Sequence, residues 1–159
     1  MLESSFEAFY LREYRAMVAI AAAVTGSHLV AEDLAQEAMA RVFRRWERVS
    51  AFDRPGAFVR RVTINLAISR RRSDARARAG LRRIPQAPSL PPPAEPHDEV
   101  WEAVASLPRK QRAAIALHYL EDRPVSEIAE ILGCARSTAR VHLTRGRRAL
   151  SAMLEGAER

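Results

Sequence analysis

Six of the nine prolines in the chain fall inside one stretch of fourteen residues, "RIPQAPSLPPPAEP" at 83–96. Proline fixes φ and removes a backbone donor, so no helix interior or central strand can run through such a segment. An extended, semi-rigid spacer is the conformation its composition favours. The chain of 159 residues is thereby divided. We expect a helical unit at 1–72, a basic and proline-rich linker at 73–97, and a second helical unit at 98–159, each small.

On either side of the break the pattern is helical. Residues 4–25 carry few breakers, and Thr25-Gly26-Ser27 supplies a stop. In the next run, 31–48, Leu34, Ala35, Ala38, Met39, Val42 and Trp46 recur at spacings of three and four and make one apolar face. Glu32, Asp33 and Glu37 lie early and Arg41, Arg44, Arg45 and Arg48 late, in the order that complements a helix dipole. Pro55 opens a third helix on which Phe58, Val62 and Leu66 repeat every fourth residue. Beyond the linker, Pro108 separates two further helices. Ser126 is placed to cap a short helix ending at Gly133, and Ser137 to cap a longer one ending near Leu154. No segment alternates with period two, so the expected fold class is all-α.

The net charge is +7, and all but one of the 26 basic residues are arginine. Arginine forks match phosphate geometry, so this balance points to a polyanionic partner. One basic group lies at the end of the third helix and after it: Arg60, Arg61, Arg70, Arg71, Arg72, Arg76, Arg78, Arg82 and Arg83 against the single acid Asp74. The other lies on the last helix, where Arg136 to Arg148 holds five arginines and no acid.

A short helix, a glycine turn and a second helix form the layout of a helix-turn-helix, whose second member enters the major groove. Ala139, Leu143, Gly146 and Leu150 share one stripe and should pack inward. Ser137, Val141, Thr144, Arg145 and Arg148 then face outward, with Arg136, Thr138 and Arg140 beside them. Early residues of such a face suit base edges and late arginines suit phosphates. A solvated amphipathic helix is the plainer alternative, and the one-sided charge of 136–148 argues against it.

Catalysis is not expected. The chain has no phosphate-cradling glycine loop, and its four histidines and one cysteine show no metal spacing, so neither metal nor cofactor is anticipated. Cys134 reads as a small turn residue. The N-terminus lacks a basic segment leading into an apolar core, and the longest apolar run, Ala16 to Val24, is too short to span a bilayer. A cytoplasmic protein without membrane insertion is the expectation.

Taken in order, "AEDLAQEAMARVFRRW", "RPGAFVRRVTINLAISRRR", "LPRKQRAAIALHYLEDRPVSEIAEILGC" and "STARVHLTRGRRAL" closely resemble the extracytoplasmic-function sigma factors of bacterial RNA polymerase. The resemblance covers nearly the whole chain outside the linker. It implies a sigma region 2 that holds core polymerase and opens the −10 element, and a sigma region 4 that docks on the −35 element. By position, Asp33, Gln36 and Glu37 match the core-binding helix, and Asn65 matches an asparagine associated with the unpaired −10 strand. Arg61, Arg70 and Arg71 match backbone contacts. Core RNA polymerase, promoter DNA and, for many members, an anti-sigma factor are the implied partners. Ser69 departs from a frequent aspartate, and Ser137 and Ala139 depart from frequent glycine and valine. An extended linker of about 25 residues at ~3.1 Å each reaches ~75 Å, enough for contacts up to about twenty base pairs apart at ~3.4 Å per step.

Overall fold

The computed structural model describes residues 5–80 and 98–157, with side chains described for 5–70 and 99–156. Among the described residues the regular structure is entirely helical: α1 (Phe6–Thr25), α2 (His28–Arg44), α3 (Trp46–Val49), α4 (Pro55–Gly80), α5 (Asp98–Ala105), α6 (Arg109–Glu121), α7 (Val125–Leu132) and α8 (Arg136–Ala157).

Local chemistry sets most boundaries. Ser5 caps α1 by accepting from the Ala8 N–H at 3.2 Å. Gly26, at φ 78°, ends α1 in the left-handed region and donates to the Ala22 carbonyl. Ser27 accepts from the Val30 N–H at 3.3 Å, so α2 begins at His28, three residues before the expected start. It also ends early, at Arg44, and Trp46–Val49 forms a separate turn. The largest departure is at α4. Its backbone stays helical to Gly80, so 73–80 belong to a helix and not to an extended linker. Arginine and alanine are strong helix formers, and they dominate "ARARAG". The rest of the expected linker, 81–97, lies outside the described residues.

The first three long helices pack around Phe9, Met17, Ile20, Val24, Leu34, Met39, Val42 and Ile64. Each such side chain contributes roughly 1.5–3 kcal/mol when fully buried. Of the expected stripe, Leu34, Ala35, Ala38, Met39 and Val42 are buried on α2, while Trp46 lies beyond it in α3 and is half-buried. On α4 the buried line is instead Val59, Thr63, Ile64 and Ala67, with Phe58, Val62 and Leu66 only half-buried. Thr63 is tolerated inside because its hydroxyl donates to the Val59 carbonyl at 2.8 Å. The second unit packs α8 across α5, α6 and α7, and the two units meet where α1 lies against α5 and α6 and α4 lies against α7.

Candidate nucleic-acid interface

The turn between α7 and α8 is built by Gly133, at φ 68°. Its N–H donates to the Glu130 carbonyl at 3.3 Å, while the Cys134 N–H reaches back to the Ala129 carbonyl at 3.0 Å. That pair of bonds is the Schellman arrangement, which satisfies the last carbonyls of α7 and needs a left-handed residue at its centre. Cys134 is half-buried and packs against the core, as a turn residue.

Two expected caps are absent. Pro124, extended at ψ 158°, precedes α7, which starts at Val125 without a side-chain cap; Ser126 is already inside the helix. Likewise α8 starts at Arg136, and the Ala139 N–H closes onto the Ala135 carbonyl at 3.0 Å. Ser137 is therefore an exposed residue of the first turn rather than its cap. Each helix starts earlier than its serine suggests: the carbonyls of Pro124 and Ala135 already accept the first intrahelical bonds, from the Ile128 and Ala139 N–H groups.

The faces of α8 fall as its periodicity requires. Ala139 and Leu143 are buried, and Gly146 lies so close to α6 that a Cβ there would stand 2.9 Å from Ile115 Cγ1. Arg136, Ser137, Thr138, Arg140, Val141, Thr144, Arg145 and Arg148 are all exposed. Val141 is 43% exposed, an apolar side chain with no packing role among hydroxyls and guanidinium groups. Burial, with Lys110 and Arg145 close by, holds the His142 imidazole below the ordinary histidine range. Helix rotation alone does not single out Arg147. It leans toward α6, donating to Tyr119 Oη at 3.1 Å and meeting His118 Nε2 at 2.7 Å. The adjacent His118-Tyr119 pair at the end of α6 is the available signal in the sequence.

In the first unit, Asp33 and Gln36 are exposed on α2, and Glu37 is half-buried and paired with Arg41 one turn on at 3.1 Å. Arg61, Asn65 and Ser69 form an exposed line down α4, with Arg70 exposed beside it; the Arg71 side chain lies outside the described residues. Arg60 does not belong to that basic surface. It is 4% exposed and grips Glu121 through two bonds of 2.7 and 2.6 Å, with Glu13 at 2.9 Å. Burial alone would lower its pKa, but hydrogen bonding and Coulombic attraction from Glu121, with Glu13 added, hold it above the usual arginine value.

Two helical units in this order, the second ending in a Schellman turn and an arginine-faced helix, match two family models: sigma-70 region 2 over residues 9–77 and sigma-70 region 4 over residues 97–150. The RNA polymerase sigma-E factor of Streptomyces antibioticus is 30% identical over 128 residues, 79% of this chain and 71% of that protein. This chain belongs to the extracytoplasmic-function sigma factors.

A second relative, the extracytoplasmic-function sigma factor SigE of Mycolicibacterium smegmatis, is 34% identical over 139 residues, and this sigma factor spans about half of it, 52% of its length. The fold is shared with the sigma factor RpoE of Bartonella quintana, solved in complex with the anti-sigma factor NepR, at TM-score 0.79, 23% identity and coverage of 94% and 96% of the two chains. No helix among the described residues is long and apolar enough to cross a membrane.

Proposed function

We propose that this sigma factor binds core RNA polymerase in the cytoplasm, carries it to promoters and starts transcription by reading two elements. The residues up to the end of α4 form the unit for core polymerase and the −10 element, and 98–159 the unit for the −35 element. On this reading Asp33, Gln36 and Glu37 meet core polymerase, while Arg61, Asn65, Arg70 and Arg71 meet the −10 strand as it opens. Arg136, Ser137, Thr138, Arg140, Val141, Thr144, Arg145 and Arg148 meet the −35 duplex. The chain acts by binding, without catalysis of its own. A partner of the anti-sigma class, like that of the Bartonella relative, fits the same reading.

The observation that carries the proposal is the outer face of α8. Its arginines stand free of acids on the same helix turn, its hydroxyls cluster early, and Val141 is exposed where a thymine methyl could be met. The test is run-off transcription with core polymerase on genomic fragments. Defined transcripts that depend on the chain are expected; their absence with active polymerase overturns the reading. Replacing Asp33 and Glu37 together by lysine should lower core-polymerase binding at least tenfold while the helical signal is retained. Unchanged pull-down would remove α2 from the interface.

A further inference from the structure

Arg145 of α8 shares a cavity of about 710 Å³ with the first turn of α6. Arg109, Lys110, His142 and Arg145 line it, no carboxylate does, and Ile68, Leu107 and Pro108 give it an apolar side. Arg41, Arg54 and Arg123 each meet an acid, at 3.1, 2.9 and 3.0 Å. Arg109, Lys110 and Arg145 pair with no carboxylate among the described residues. They also stand close together: after burial itself, Lys110 and Arg145 are what hold the His142 imidazole below the ordinary histidine range.

Cations of one sign gathered around a cleft focus a field that only an anion relieves. The backbone adds to it. No acid lies in the first turn of α6 and no side chain caps it. The Arg112 N–H is the first to close, onto the Pro108 carbonyl at 2.9 Å, which leaves the amides of Arg109, Lys110 and Gln111 without an intrahelical acceptor. Size then narrows the kind of anion. The volume falls in the range of ~300–1,000 Å³ typical of sites for small organic molecules, and a lone phosphate ion would leave most of it unfilled. Guanidinium forks and a lysine point charge are the groups that hold phosphoryl oxygens, while the apolar side suits the body of a larger ligand.

We propose that this cavity binds a nucleoside di- or triphosphate, with its phosphoryl groups on Arg109, Lys110 and Arg145 and its ring against Leu107 and Pro108. Such a ligand and the −35 duplex compete for Arg145, so each weakens the binding of the other by the same factor. The competition rests on the sigma-factor reading above; the site itself does not.

The test titrates ATP into the full chain by calorimetry, without magnesium and at near-physiological salt, with pyrophosphate and adenosine as comparisons. ATP should bind once per chain and saturate, pyrophosphate at least fivefold more weakly, and adenosine not measurably. No heat beyond dilution overturns the site, and equal affinity for pyrophosphate overturns the part given to Leu107 and Pro108. Arg109→Gln combined with Lys110→Gln should lower ATP affinity at least tenfold. Arg136→Gln combined with Arg148→Gln removes the same charge outside the cavity and should lower it less than threefold. Equal losses would mean diffuse attraction to a basic protein and overturn the site. Lys110 is exposed and Arg109 half-exposed, so both changes should leave the melting curve in place; if the double variant melts early, Lys110→Gln alone replaces it. In duplex-binding assays, saturating ATP should weaken −35 binding by the parent at least fivefold and by the Arg109 and Lys110 variant less than twofold. A variant that loses duplex affinity tenfold, beside a parent that takes up no ATP, would make the cluster a DNA contact and overturn the proposal. Should the parent bind no promoter duplex, the sigma-factor reading fails, while the ATP titration still judges the site.

Discussion

The seam between the two helical units and the outer face of α8 are both made of arginine, and they use it in opposite ways. At the seam Arg60 and Arg112 are almost fully buried, and each guanidinium faces fixed acceptors: two carboxylates and the Gly56 carbonyl for Arg60, backbone carbonyls for Arg112. On α8 the guanidinium groups of Arg140, Arg145 and Arg148 stand in water. A desolvated arginine is costly unless its hydrogen bonds are complete, so it fixes one arrangement. A hydrated one keeps its freedom for an anion that arrives later. The same residue type thus fixes structure at one place and stays available for the proposed DNA contact at the other, and burial decides which.

The sharpest way to break this contrast is at Arg112, whose guanidinium serves the carbonyls of Val24, Val104, Ala105 and Leu107. Arg112→Met should destabilise the protein by at least about 3 kcal/mol, because several buried acceptors lose a charged donor at once. Chemical denaturation measures it, and a loss below about 1 kcal/mol would place Arg112 with the surface arginines. A smaller effect is expected on the inner side of α8. Gly146→Val must displace Ile115, and overpacking of this kind costs roughly 1–3 kcal/mol; an unchanged melting curve would mean that α6 and α8 are not so close.

On the outer side of α8 the effects move from stability to binding. Arg148→Ala should leave the fold intact, weaken binding to matched and mismatched −35 duplexes alike, and reduce the salt slope by about one unit. Val141→Ala should instead lose preference at one base position, by roughly 1 kcal/mol at the low end of direct readout. Salt titrations on single-base-substituted duplexes separate the two, and an exchange of these behaviours would reverse the orientation of the helix on DNA. The smallest effect belongs to His142. Its folded pKa lies below the unfolded value of about 6.5, so the neutral ring favours the fold. That contribution is present above pH ~6.5 and fades as pH falls through the folded value. Melting temperatures at pH 7.5 and 5.5 should differ slightly less in His142→Gln, and a larger difference in the variant would contradict the sign.

Sequence periodicity is a good guide to α2 and α8 and a poor one to the seam. In α8 the inward stripe of Ala139, Leu143 and Gly146 is set by helix geometry alone, so the exposed residues follow by rotation. Arg60 looks like its neighbour Arg61 because nothing local distinguishes them: both sit among basic residues, and the acids that bury Arg60 are 47 residues before it and 61 after it. Arg112 is equally silent, one more basic residue in "RKQR". Ser126 and Ser137 mislead as caps, because a serine near a helix start often plays that part, while here the residues ahead of them already turn the chain into α7 and α8. The helical end of α4 is hidden for a similar reason, since strong propensity carries that helix past the point where apolar spacing stops.

The long sequence separation across the seam also has a consequence in time. Glu121 follows Arg60 by 61 residues and Arg112 follows Val24 by 88. At roughly 5–20 residues added per second, the first unit emerges from the ribosome some seconds before the groups that can close upon it have been made. During that interval the Arg60 guanidinium and the Val24 carbonyl stay hydrated, so the first unit must hold its own helices together before the second arrives to cover them. Glu13, made before Arg60, gives that guanidinium its first carboxylate.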